Sequence, residues 1–170
     1  KDVLYCDPKK SEKRNSCIIL LNIILESLLK WFAPILSFTT EEIFTLISKN
    51  KKSIHLERFI KFPKSFKNDK LNEKWIELKK IRDVCNISIE AKRSSKEIGS
   101  SLEADLIISL NKKLFEIAQN IDFSELCITS KAKIKKDDSD EIKVLAEKAK
   151  GNKCPVCWKI NESACERHPI

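Results

Sequence analysis

The sequence predicts an α+β chain in which a helical bundle is followed by a small mixed α/β subdomain and then by a metal-braced tip. Three observations predict it. Apolar residues recur at three- and four-residue steps through 11–32 and 69–93, the pattern of helices with a core-facing side. After Gly99 the apolar period shortens to two, the pattern of half-buried strands. Near the end, Cys154, Cys157, Cys165 and His168 form a Cys-x2-Cys-x7-Cys-x2-His run, which places two ligand groups on each of two tight turns, as a tetrahedral zinc ion requires. The predicted boundaries are 1–68 for the bundle and a connector, 69–100 for a long basic amphipathic helix, 101–150 for the mixed subdomain and 151–170 for a zinc knuckle.

Residues 1–10 read as a lead-in ending near Pro8, after which Ser11 caps a helix running to about Phe32. Its central turns are apolar on every side, from Cys17 to Leu29, which predicts a place at the centre of the bundle. Asn22, Glu26 and Lys30 inside the apolar run Cys17 to Phe38, and Pro34, which interrupts it, argue against a membrane span. Thr39-Thr40-Glu41-Glu42 reads as a capping box that starts a second helix, with Ile43, Phe44 and Ile47 inward. From Lys49 to Lys67 the period fails and an extended connector is predicted; a single histidine there, His55, carries no catalytic role. A third helix over 69–93 turns Leu71, Trp75, Leu78, Ile81, Cys85 and Ile89 inward and Lys74, Lys79, Lys80, Arg82, Lys92 and Arg93 outward. Such a face is either simply solvated or a rail for an RNA backbone.

In the mixed subdomain, alternation over 103–110 predicts a strand, and Asn111 caps a short helix to about Asn120. A second strand is predicted over 123–130, a turn at 137–140, and a third strand through Ile142, Val144 and Ala146. In the knuckle, Pro155 stiffens the first loop. Three thiolates and a neutral imidazole around a divalent cation leave about one net negative charge by charge counting, which Lys153, Lys159 and Arg167 can offset.

Composition bounds the function. With 170 residues, 42% of them apolar, the chain can bury a core, and a net charge of +8 favours a polyanionic partner. There is no methionine, even at position 1, so a piece of a longer protein is expected. Cys6, Cys17, Cys85 and Cys127 are scattered among apolar neighbours without a disulfide spacing, which fits a reducing cytoplasm.

Four stretches taken together resemble a known family. Lys1-Asp2-Val3-Leu4-Tyr5-Cys6-Asp7, Ala33-Pro34-Ile35-Leu36-Ser37-Phe38-Thr39-Thr40-Glu41-Glu42-Ile43, Lys96-Glu97-Ile98-Gly99-Ser100-Ser101-Leu102-Glu103-Ala104 and Lys153-Cys154-Pro155-Val156-Cys157-Trp158 resemble, in the family's order, the carboxy-terminal part of bacterial isoleucyl-tRNA synthetases. The first two are also similar to the valine and leucine enzymes; the Cys-x2-Cys-Trp tail points to isoleucine. The resemblance implies a helical anticodon-binding bundle within a class I ligase, monomeric and cytoplasmic, that activates isoleucine with ATP and Mg and transfers it to tRNA(Ile). The adenylate-forming signatures and the editing domain of that family are absent from these residues, so the fragment alone is expected to be inactive.

The resemblance further implies that this piece grips tRNA, with Trp158 stacking on an unpaired loop base and Lys153, Lys159, Arg167, Lys92 and Arg93 meeting phosphates. From the residues alone, Trp158 could equally cover the knuckle's own apolar side. The family's second ligand pair is usually another Cys-x2-Cys after a longer gap. Here either His168 replaces the last cysteine, or the true pair lies beyond Ile170 and His168-Pro169 belongs to the loop before it. The rival readings are a nonenzymatic zinc-containing RNA-binding adaptor and a valine or leucine ligase fragment.

Overall fold

The computed structural model describes residues 2–48, 52–165 and 167–168, which fold as two units spanning 1–66 and 67–170. Lys1 of the first family stretch, the start of the connector at 49–51, and the Pro169 and Ile170 on which the alternative ligand reading turns lie outside the described residues.

The first unit holds α1 (Asp2–Cys6), α2 (Glu12–Phe32) and α3 (Ser37–Ile47). As expected, Ser11 caps α2 by accepting from the Arg14 N–H at 3.3 Å. Leu29, Ala33, Phe44 and Ile54 form a small core with Leu25 and Ile43 against it. The predicted central burial of α2 is not met among the described residues, where only Ser27, Leu29 and Lys30 of the helix are buried. Ile19, Leu20, Ile24 and Trp31 stand exposed, because α2 is apolar on all sides and α1, α3 and the turn at Ile54–Leu56 cover only part of it. By length and composition this helix could cross a membrane. Yet Lys30, in its last turn, is buried between Glu26 at 2.6 Å and Glu57 at 3.6 Å, a pairing made with protein rather than lipid.

Two local expectations are not met. The capping box does not form: α3 starts at Ser37, two residues before Thr39, and its first turn is closed by Thr40 Oγ1 donating to the Leu36 carbonyl at 2.9 Å. Glu41 reaches out instead, accepting from Ser53 Oγ and the Ile54 N–H at 2.9 Å each, so the carboxylate ties the connector to the helix. The connector is also less extended than predicted, with 3-10 turns at Ile54–Leu56 and Lys64–Phe66.

The second unit is a two-layer sandwich built on α4 (Asp69–Ser94), which begins where Asn68 Oδ1 accepts from the Leu71 N–H at 3.0 Å. Leu78, Ile81, Cys85 and Ile89 come into line on one side at three- and four-residue steps and are buried, whereas Leu71 and Trp75, also predicted inward, are exposed in the first turns. The helix ends at Ser94, Lys96 turns left-handed at φ 60, and Ile98 folds back into the core. Glu97 accepts from Lys92 Nζ and Ser95 Oγ, which holds its carboxyl below the usual range, and Glu103 accepts from the Gly99 N–H at 2.9 Å. These bonds give the Lys96–Ala104 stretch a structural role in joining helix to sheet.

The sheet comprises β1 (Ala104–Leu110), β2 (Lys131–Lys136) and β3 (Lys143–Lys148) in the order β2-β1-β3, with β1 parallel to β2 and antiparallel to β3. α5 (Lys112–Ala118) and α6 (Phe123–Leu126) make the crossover that a parallel pair requires. Leu106, Ile108 and Leu110 of β1 and Ala146 of β3 face α4, α5 and α6 in one buried core. Cys85 and Cys127 both lie in that core as free thiols.

The predicted strand over 123–130 is a correction. Asp122 Oδ1 accepts from the N–H groups of Ser124 at 2.8 Å and Glu125 at 3.3 Å and starts a helical turn. Ile128 then adopts φ 58, which no strand can run through. The strand follows at 131–136, where four lysines in six positions mask its alternation.

Candidate metal centre

Two short turns build the site. The strands β4 (Asn152–Lys153) and β5 (Ile160–Asn161) pair with Asn152 opposite Asn161 and Lys153 opposite Ile160. Between them the chain closes tightly: the Cys154 N–H donates to the Lys159 carbonyl and the Trp158 N–H to the Cys154 carbonyl, both at 2.9 Å. Gly151 opens the hairpin at φ 120, and a Cβ there would stand 2.1 Å from the Asn161 carbonyl oxygen, so the close approach of the two arms needs glycine. In the second turn the His168 N–H donates to the Cys165 carbonyl at 3.0 Å.

These turns bring all four predicted ligand groups together, with their ligand atoms within 4.8 Å of one another. Cys157 Sγ lies 3.8 Å from Cys165 Sγ, while His168 Nδ1 lies 3.7 Å from Cys154 Sγ and 3.5 Å from Cys165 Sγ. A tetrahedral zinc with Zn–S near 2.3 Å and Zn–N near 2.05 Å has edges of about 3.8 Å between sulfurs and about 3.5 Å from sulfur to nitrogen. These three edges match, so along them the donor set fits such a cation in both chemistry and size.

Electrostatics prepares the same site. The backbone N–H groups of Cys157 and Val156 bring the Cys154 thiol down to about 6. Burial pushes the Cys157 thiol up to about 11. Burial also pushes Cys165 upward, but the His168 ring and the Arg167 and His168 N–H groups outweigh it and leave the thiol below its usual value. Four protein donors leave no open position, so a cation held here braces the fold rather than activating water.

The tip is fastened to the sandwich by contacts that sequence spacing does not reveal. Lys159 Nζ donates to Ser124 Oγ at 2.9 Å, and the Ile160 N–H donates to Ser130 Oγ at 2.6 Å. Ser130 is buried and also donates to the Leu102 carbonyl, so one hydroxyl links the start of β1 to β5. Burial raises the Asp122 carboxyl, yet hydrogen bonds from Ser124 and Glu125 and the nearby Lys159 ammonium more than offset this and lower it.

The remaining predicted residues divide by environment. Trp158 stands 58% exposed at φ 67, with Lys153 Nζ 5.3 Å from its ring centroid. Lys92 and Arg93 lie at the far end of α4 and are paired with Glu97 at 2.7 Å and Glu90 at 2.8 Å. Lys159 is turned inward to Ser124, and Arg167 is half-buried and engaged by its surroundings. On the proposed rail, Lys80 is paired with Glu77 at 2.7 Å and Arg82 Nε donates to the Leu126 carbonyl at 3.2 Å.

Comparison with known proteins supplies the family. A relative from Pelagibacter ubique, named isoleucine–tRNA ligase, is 71% identical over 168 residues, which is 99% of this chain and 19% of the relative. Relatives of the same name from Bradyrhizobium diazoefficiens (34% identical over 98% of the chain) and Bartonella henselae (36% over 95%) are each matched along 18% of their own length. The chain therefore spans about a fifth of the length of these curated relatives. The family model described as the anticodon-binding domain of tRNA ligase matches residues 1–108, ending within β1, and the chain belongs to that family.

Proposed function

We propose that this chain is the tRNA-gripping part of an isoleucine–tRNA ligase, with zinc bracing its tip. The observation that carries the reading is Trp158: a large exposed ring whose backbone is locked inside the four-donor turn, as stacking on an unpaired base needs. Cys154, Cys157, Cys165 and His168 would hold the zinc, which when bound supplies a rigid cross-link between the two turns. Lys153, already over the Trp158 ring, stiffens that ring and brings a positive charge to the base it receives. Lys92, Arg93, Lys159 and Arg167 are the further phosphate contacts; for Lys92 and Arg93 a phosphate would have to compete with Glu97 and Glu90.

The partner is tRNA(Ile), and the ligase acts as a monomer in the cytoplasm. Isoleucine activation, with ATP and Mg, belongs to other parts of the ligase. The apolar surface of α2 is read as facing protein, since Lys30 is already paired with Glu26 and Glu57 beside it. The adaptor and the valine or leucine readings are not favoured, because the relatives at 34% to 71% identity carry the isoleucine name.

In the full-length ligase, Trp158→Ala is expected to raise the Michaelis constant for tRNA roughly 5- to 150-fold, the equivalent of about 1–3 kcal/mol of stacking. Isoleucine-dependent ATP–pyrophosphate exchange should not change. An unaltered Michaelis constant for tRNA removes the stacking role.

A further inference from the structure

Among the described residues of the second unit, the helices lie on one side of the sheet only. Its other side is an open sheet surface formed by the alternate residues of all three strands. Along it run three rows: Lys131, Asp105 and Glu147 nearest the tip, then Lys133, Ile107 and Leu145, then Lys135, Ser109 and Lys143. Lys133, Lys135 and Leu145 are exposed, Leu145 by 52%.

Charge on this surface is unevenly compensated. The first row carries acids: burial raises the Asp105 carboxyl, and Glu162 of the tip and Glu147 raise it further against Lys131. Lys143 is held by Asp137 at 3.2 Å. The side-chain ammonium groups of Lys133 and Lys135 have no hydrogen-bond or ion-pair partner among the described residues, unlike Lys92, Arg93 and Lys80. They sit two apart on one strand, about 6.8 Å in an extended chain, a step comparable to that between successive phosphates of a nucleic-acid strand.

We propose that this open face is a second tRNA contact, in which Lys133 and Lys135 of β2 carry successive phosphates and the Ile107–Leu145 strip lies under the adjoining sugar. The proposal rests on the reading of this chain as a tRNA-binding part. The acidic first row repels phosphate, so the strand follows β2 along the two rows away from the tip. Edge-strand lysines also serve to discourage pairing with another sheet. That role needs no partner and makes a different prediction.

The test is the salt dependence of tRNA affinity in the full-length ligase. For Lys133→Gln with Lys135→Gln, losing two phosphate contacts should flatten the slope of log affinity against log salt by about 1.4–1.8. Affinity should fall roughly 14- to 30-fold at 0.15 M salt, with the difference vanishing near 1 M. Lys112→Gln with Lys113→Gln, the same charge change on α5 in the other layer, should leave the slope in place. Lys133→Arg with Lys135→Arg should keep it as well. Independently of any variant, bound tRNA should protect Lys133 and Lys135 from acetylation in the wild-type ligase.

An unchanged slope for the β2 pair, an equal change for the α5 pair, or self-association of the β2 variant with tRNA affinity intact would overturn the proposal. Absence of acetylation protection would do so too, as would protection conferred by an acidic protein and not by tRNA. If these fail while Trp158→Ala still raises the Michaelis constant, the sheet contact alone falls. If the wild-type ligase does not bind tRNA, both readings fall together.

Discussion

Cys154→Ser in the full-length ligase is expected to strip the tip of its metal, leaving well under a tenth of an equivalent after dialysis against a mild chelator. Cys154 is the donor most ready to bind, since the Cys157 and Val156 N–H groups already favour its thiolate. It is also the corner of the first turn, donating to the Lys159 carbonyl and accepting from the Trp158 N–H. Structural zinc sites supply apparent binding free energies of about 10–16 kcal/mol, and much of that is folding energy of the small element around them. The hairpin β4–β5 has only two residues in each strand, so the metal adds to the hold of the Lys159–Ser124 and Ile160–Ser130 bonds. His168→Ala should weaken metal binding less severely, because water can fill a fourth position left by three thiolates. Elemental analysis checks both. One full equivalent retained by the serine variant, or affinity undiminished in the alanine variant, removes the corresponding ligand.

Phe123→Ala should cost about 3–5 kcal/mol of stability in the second unit. Its ring is 2% exposed in the core between α6 and the sheet, and truncation leaves a cavity that the flanking strands cannot collapse to fill. The loss should also reach the tip, because Ser124 beside it receives Lys159 Nζ. Phe38→Ala is the control: that ring is 92% exposed, so its removal should stay within about 0.5 kcal/mol. Urea unfolding followed by circular dichroism gives both values, and a Phe123→Ala cost below about 1 kcal/mol contradicts the packing described.

What was legible in the sequence is what depends on local spacing. The period of Leu78, Ile81, Cys85 and Ile89 places α4, the alternation of Ala104 to Leu110 places β1, and Cys154 to His168 places the four donors. The family stretches carried the anticodon-binding assignment, which the family model bears out. The strand β2 was hidden because its outward positions are lysines and only Ala132 and Ile134 face the core. Asp122 was hidden for the opposite reason: it caps from just before 123–130, where Leu126 and Ile128 read as a strand. Ser130 and Lys159 act across 30 and 35 residues of chain, and no local pattern announces such bonds. The misjudged burial of α2 has a similar origin, because an all-round apolar helix says that it wants cover without saying which residues provide it.

The most direct measurement of whether a metal-held tip is the grip on tRNA is tRNA(Ile) affinity of the full-length ligase before chelation, after it, and after zinc is restored. Affinity should drop at least about fivefold on metal removal, the lower end of one lost stack, and return with zinc, while isoleucine-dependent ATP–pyrophosphate exchange holds steady throughout. Affinity that stays the same in the metal-free protein would contradict such a grip.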